Sequence, residues 1–361
     1  MTENTSVPKT ELTTSEKRQS GPELLRIFAI LLITCVHLLN YGGFLENAAS
    51  ETELLLLRLL YSLFTVSVNI FVIISGYFLV NSSFRIKKLV RLWGTVVFYA
   101  ITLYFLSLLI FGDAWNGKEF ISCLFPVIHR EYWFFTAYFL LYLTSPLLNK
   151  ILKNSDRKTL LVTLIGIFVL SYFARRFRID EVVSLHTGYN LIWFICLYLT
   201  GGILKLLSPR IKKRYLLAGF LFCILWVWSN FYYKEEMPLY KYLYNSPDYT
   251  SFIVFTASVL IFLFFARLEI RSKLCNRLIL CISSASFGVY LLQEANMIKP
   301  HIYFEVFRVQ QHYGKTSSFL FVLLFALGFY LLGFVYEQIR RVLLQLCYWS
   351  VKKLKAKSNK I

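Results

Sequence analysis

Long apolar runs separated by short polar connections dominate this chain. Ten of them approach the roughly 20 residues a helix needs to cross a bilayer core. They are Leu24–Tyr41, Leu54–Val80, Val90–Phe111, Tyr132–Asn149 and Thr159–Ala174, then Tyr189–Leu207, Tyr215–Phe231, Thr250–Ala266, Leu278–Gln293 and Ser318–Gln338. The pattern predicts an all-α polytopic membrane protein with about ten transmembrane helices. Residues 1–20 are polar and read as a disordered cytoplasmic tail, residues 21–345 as one ten-helix membrane domain, and residues 346–361 as a basic cytoplasmic tail. The polar start has no apolar core and no small-residue cleavage site, so no removed signal peptide is expected.

Composition narrows the class further. Hydrophobic residues make up 57% of the 361 and charged residues only 16%, against about 25% charged in soluble domains. That excludes a soluble enzyme, a disordered protein and a secreted disulfide scaffold. The seven cysteines form no CxxC pair and mostly sit in apolar runs. They read as small buried hydrophobes, and no metal site is expected.

A net charge of +19 invites a nucleic-acid partner, but the placement of the charges argues otherwise. With the N-terminus inside, basic residues gather in alternate connections. Examples are Arg85, Lys87, Lys88 and Arg91; Lys205, Arg210, Lys212, Lys213 and Arg214; and the tail from Arg340 to Lys360. This is the positive-inside pattern that insertion requires. The excess is topological, so the expected partner is the lipid bilayer and not nucleic acid. Arg175, Arg176 and Arg178 alone cluster on the opposite side.

Ionisable groups inside spans are costly and by default mark a functional cavity. The first span holds Glu23, Arg26 and His37. Eleven residues separate Arg26 from His37, close to three helical turns and ~16 Å of axis, so both lie on one face. Glu23 is one turn before Arg26 and can pair with it. Single residues of this kind usually snorkel or satisfy a backbone carbonyl; an aligned pair favours function. Ser75 invites a Ser–His nucleophile, but the second span offers only Ser75-Gly76-Tyr77, without the GxSxG elbow or an acid partner. Close helix packing is the better account of that pair. Asn69 and Arg58 are further polar candidates for the cavity side. His129, His186, His301 and His312 fall in outer connections and read as surface residues, in loops whose aromatic and acidic residues would suit a sugar.

These residues resemble a known family. Arg26-x10-His37 in the first helix, the Ile74-Ser75-Gly76-Tyr77 stretch and the basic opening FRIKKLVRLW of the third helix resemble the integral-membrane acyltransferase family 3. In that opening Lys88 and Arg91 stand at its Arg-x-x-Arg positions. The segments around Trp133, Tyr138 and Pro146, around Gly201-Gly202, and SSASFGVYLLQ with Ser286, Gly288 and Tyr290 are similar to its later helices. The sequence departs from the pattern at Lys88, which replaces an arginine, and at Trp93-Gly94, where a proline often follows the basic pair. It departs again at Gln293, where many members carry a second histidine; Glu294 beside it can still contribute polarity.

The resemblance implies a membrane O-acyltransferase that moves an acyl group, acetyl in the expected case, from cytosolic acyl-CoA to a hydroxyl of a cell-surface or lipid-linked polysaccharide. His37 would deprotonate the acceptor hydroxyl or briefly carry the acyl group, with Arg26 and Glu23 beside it in the catalytic stripe. Arg91, Lys88 and Arg85 would bind the phosphates of the donor, and Ser75, Asn69, Trp133 and Tyr290 would line the cavity. No cofactor is expected to be permanently bound; acyl-CoA is a substrate. Partners would be the glycan acceptor, the bilayer and either no further protein or a separate extracytoplasmic acyl acceptor, in a bacterial plasma membrane. The alternative is a polysaccharide flippase, exporter or polymerase without acyl transfer.

Overall fold

The computed structural model describes residues 19–129, 132–176, 190–236, 248–315 and 317–358. Residues 1–18 of the expected N-terminal tail lie outside these. Helices follow one another along the chain: α1 (Ser20–Asn40), α2 (Glu51–Phe64), α3 (Ser67–Leu79), α4 (Ile86–Leu106), α5 (Gly117–Leu124), α6 (Trp133–Asn154) and α7 (Arg157–Arg176). After them come α8 (Leu191–Leu207), α9 (Lys213–Glu236), α10 (Phe252–Ala266), α11 (Lys273–Ser283), α12 (Ser286–Glu294) and α13 (Ser318–Ser358). Among the described residues there is no strand.

Six helical runs there are long and apolar enough to cross a membrane: Ser20–Asn40, Glu51–Leu79, Ile86–Phe111, Lys213–Phe231, Lys273–Glu294 and Ser318–Ser350. Leu191–Leu207 and Phe252–Ala266 are apolar but shorter. The exterior of the bundle is itself apolar. On α13, Leu320, Leu324, Leu327 and Leu331 share an outward stripe and are each more than half exposed, as expected of a surface solvated by lipid tails.

Two apolar runs that read as single spans are broken helices. The second divides at Thr65–Val66 into α2 and α3, and the ninth at Ser284–Ala285 into α11 and α12. Hydroxyls take up backbone carbonyls beside each break. Ser67 Oγ donates to Phe64 O (2.7 Å) and Thr65 Oγ1 to Ser62 O (2.9 Å), while Ser284 Oγ donates to Cys281 O (2.6 Å). In an apolar surround such side chains are what allow a helix to interrupt its own bonding. At Pro146 in α6 the missing N–H frees the carbonyl of Tyr142, and the Ser145 hydroxyl donates to it at 2.7 Å. The domain edge expected at residue 345 is not a structural break: α13 runs through it to Ser358.

Glycines set the closest approaches. A methyl group at Gly76 would collide with the carbonyl of Tyr198, and one at Gly201 with the carbonyl of Ile73, so α3 and α8 meet backbone to backbone. The Ser75-Gly76 and Gly201-Gly202 pairs thus serve packing of small-residue type. α1 is central, touching α2, α3, α10, α11, α12 and α13. Four cysteines, Cys35, Cys123, Cys196 and Cys223, are buried as expected; Cys275, Cys281 and Cys347 are exposed.

Candidate active site

α1 starts at one end of the bundle, where Ser20 Oγ bonds to Asn276 near the start of α11, and finishes at the other, where Tyr313 Oη bonds to Gly42 O. Between these ends runs a cavity of about 310 Å³. Its wall includes Arg26, Ile30, Ile33 and His37 from α1, which recur at three- and four-residue intervals as one helix face must. The expected stripe is therefore the floor of a real cavity, with Arg26 towards one end and His37 towards the other.

At the first end Arg26 Nη1 donates to Glu23 Oε2 at 2.6 Å. The Glu23 side chain is 3% exposed and Arg26 21%. Glu23 itself does not line the cavity; it anchors the arginine from behind. At the far end His37 Nε2 lies 3.0 Å from Glu294 Oε1, the last residue of α12. The other ring nitrogen, His37 Nδ1, is buried and has no hydrogen-bond partner. A proton on Nε2 satisfies the carboxylate, which leaves Nδ1 as a bare acceptor, buried on a ring that lines the cavity. Second-site orientation of an imidazole by a carboxylate is the arrangement general bases use.

Gln293 brings Glu294 into register. Its side chain is fully buried, and its Oε1 lies 2.9 Å from the hydroxyl of Thr34 on α1. One side chain before Glu294 thus clamps α12 to the helix that carries His37. On the opposite wall Ser75, Trp133, Phe134, Tyr138 and Tyr290 line the same space, joined by Ser283, Ser284 and Ser286 around the α11–α12 break.

A family model described as an acyltransferase domain matches residues 19–338, from just before α1 to the part of α13 that packs on it. The chain belongs to acyltransferase family 3. No curated protein and no solved structure is detectably similar to it. This membrane acyltransferase therefore carries both halves of its cavity within the matched domain.

Several expected site residues take other places in this acyltransferase. Asn69 is fully buried but off the cavity: it donates to Tyr249 O (2.8 Å) and accepts from Trp193 Nε1 (3.1 Å), and Tyr249 in turn lines the wall. Arg58 is also elsewhere, donating to Phe231 O at 3.3 Å on the α2–α9 side. Arg85, Lys88 and Arg91 are exposed at the opening of α4 and do not line the cavity, although Leu92 does. Lys88 lies over the ring of Tyr142, 5.2 Å from its centre. Ser75 does line the cavity, yet its hydroxyl donates to Phe71 O at 2.9 Å, a helix-internal bond that leaves no base to activate it.

Among the outer histidines, His129 is exposed and His312 stacks on Phe321 with ring centres 3.8 Å apart. His186 lies outside the described residues. His301 is no bare surface residue: Nε2 sits 3.1 Å from Asp113 and Nδ1 2.5 Å from Glu305, with the ring stacked on Phe111 at 4.3 Å. In the sequence Glu294 reads only as local polarity beside Gln293. Its separation of 257 positions from His37 carries no local signal, although an acid at the end of an apolar run was the available hint.

Proposed function

We propose that this acyltransferase moves an acyl group, acetyl in the expected case, from cytosolic acyl-CoA to a hydroxyl of a cell-surface or lipid-linked polysaccharide. The membrane would be a bacterial plasma membrane, crossed ten times with both termini inside. The observation that carries the reading is His37 on the cavity wall, with Glu294 holding Nε2 and Nδ1 left without a partner. Acyl transfer to a hydroxyl needs a base at the cavity wall, which moving a glycan across unchanged does not.

The chemistry balances on these residues. The His37 imidazole takes the acceptor's hydroxyl proton as the oxygen attacks the thioester carbonyl. Glu294 stabilises the imidazolium that forms. Tyr138 and Tyr290 bring phenol groups to the same wall, and a phenol O–H can donate to the tetrahedral oxyanion. Collapse breaks the carbon–sulfur bond, and the imidazolium returns its proton to the departing thiolate, giving an ester and a free thiol. Arg26 then belongs to the donor's phosphate end, about 16 Å along the helix axis from His37. Arg85, Lys88 and Arg91 lie outside the cavity and would hold the nucleotide part of the donor or steer it in.

The test is base-released acetate from surface polysaccharide in a deletion strain, complemented with wild type or with His37→Ala at matched expression. Wild type should restore acetate and the mutant should lose it by a factor of about 10²–10⁴. Equal restoration would remove His37 from the chemistry. Unchanged acetate with falling total glycan would favour transport.

A further inference from the structure

The segment that leaves Glu294 has a second hollow on its other side. It holds about 700 Å³, opens broadly to the surface, and is walled by Asp113, Trp115, Asn116 and Glu119 on one side and Asn296 and His301 on the other. Glu294 faces the His37 cavity while Asn296, two residues on, faces this hollow. One chain segment is thus a shared wall.

The far wall is a fixed structure. Gly112 takes a left-handed turn (φ 75°) after the π-turn Ser107–Phe111 that ends α4, a conformation glycine adopts without strain. Beyond it, Tyr104 Oη accepts from Asn116 N (2.8 Å) and donates to Asn116 O (3.1 Å), and the Asn116 side chain caps α5. The loop between is held so that Trp115 rests on Tyr104 and Phe120 with 59% of its surface open. The near wall joins it through His301, whose Nε2 reaches both oxygens of Asp113 at 3.1 Å.

We propose that this hollow binds the acceptor glycan, and that it takes neutral or amine-bearing saccharides in preference to anionic ones. The inference rests on the acyltransferase reading of the adjoining cavity. An exposed indole face offers the stacking surface a sugar's C–H face uses. Around it the carboxylates of Glu119 and Asp113 and the amide of Asn296 supply the hydrogen-bonding groups that hydroxyls need. Among the residues that wall the hollow these two carboxylates outnumber the one histidine, so a uronate or phosphorylated sugar meets like charge. A chain seated here reaches the His37 cavity over the Glu294–Asn296 wall, which suits modification of a unit within a polymer.

The test uses the full chain in detergent and three probes: the trimers of N-acetylglucosamine, of glucosamine and of galacturonic acid. Binding is measured calorimetrically, with acetyl-CoA consumption followed on the same preparation. Wild type should bind the first two in the millimolar range and the galacturonate trimer at least about tenfold more weakly. Trp115→Ala should weaken the favoured probe about tenfold, Trp115→Phe should recover most of it, and Glu119→Gln should narrow the gap to the anionic probe. The proposal fails if wild type binds none of the three, if Trp115→Ala binds as well as wild type, or if the galacturonate trimer binds as tightly. Thioester consumption without saccharide binding would overturn this site and leave the acyltransferase reading standing. Saccharide binding lost in Trp115→Ala, without thioester consumption, would do the reverse.

Discussion

Each end of α1 carries a basic group held by a carboxylate, and the two pairs are built differently. At one end Arg26 bonds Glu23 at 2.6 Å from three positions away on the same helix. At the other, His37 meets Glu294 at 3.0 Å, and Glu294 arrives on α12 from the far end of the sequence. The first pair forms with the helix itself. The second exists only when α12 is docked, and the buried Thr34–Gln293 contact holds the docking. The first therefore gives a cation of fixed position, whereas the second makes the orientation of a base depend on tertiary structure. A base needs that dependence, because removing the carboxylate disturbs one tautomer and one direction without emptying the cavity.

The sharpest way to break this asymmetry is at Glu294. Glu294→Gln keeps the shape and a polar contact but removes the charge that stabilises the imidazolium. The expected result is a fall in kcat of roughly 10–10²-fold with little change in the donor's KM. Glu23→Gln at the other end should leave kcat within about threefold, since Glu23 is outside the cavity wall. Steady-state kinetics on purified protein decides it; an equal loss of kcat from both variants would erase the distinction between the two pairs.

The difference also explains what could be read from the chain alone. Arg26 and His37 on one face, the small-residue pairs at Gly76 and Gly201, and an all-helical membrane fold follow from local spacing, because 3.6-residue periodicity and apolar length are local properties. The family followed from the same stretches in order. Glu294 as the partner of His37 was illegible because nothing local reports which helix docks where. Asn69 misled for the opposite reason: a buried polar residue in a span suggests a cavity, yet its amide is used up by Tyr249 and Trp193. The breaks at Thr65–Val66 and Ser284–Ala285 were hidden because hydrophobic length does not register a lost helical bond when a hydroxyl replaces it.

The basic end offers a graded prediction. Arg26 lines the cavity at 21% side-chain exposure, whereas Arg85, Lys88 and Arg91 are exposed beyond its wall. Arg26→Ala should raise the donor's KM about tenfold, and Arg26→Lys should recover part of that. Alanine at all three outer positions should raise it by about threefold, and that smaller effect should vanish in high salt, because exposed charges act through screened, long-range attraction. Donor KM at two ionic strengths separates the cases. If the triple variant costs more than Arg26→Ala and is insensitive to salt, the donor's phosphates bind outside the cavity and Arg26 has another task.

The smallest expected effect lies beyond the His37 end, at the clasp between Asp113 and His301. Burial alone lowers the pKa of His301, but its hydrogen bonds to Glu305 and Asp113 outweigh that, and the net shift is upward. The fold therefore prefers the protonated ring. Its contribution to stability is complete below the ordinary histidine value of about 6.5 and is lost as pH rises through the higher folded-state value. The melting temperature of wild type relative to His301→Ala should show an advantage at pH 6 that shrinks by pH 8, within a few degrees at most. Because Asp113 and His301 also wall the neighbouring hollow, saccharide affinity in wild type should weaken over the same interval. An advantage that grows with pH would mean that His301 is held neutral and that the clasp is a packing contact alone.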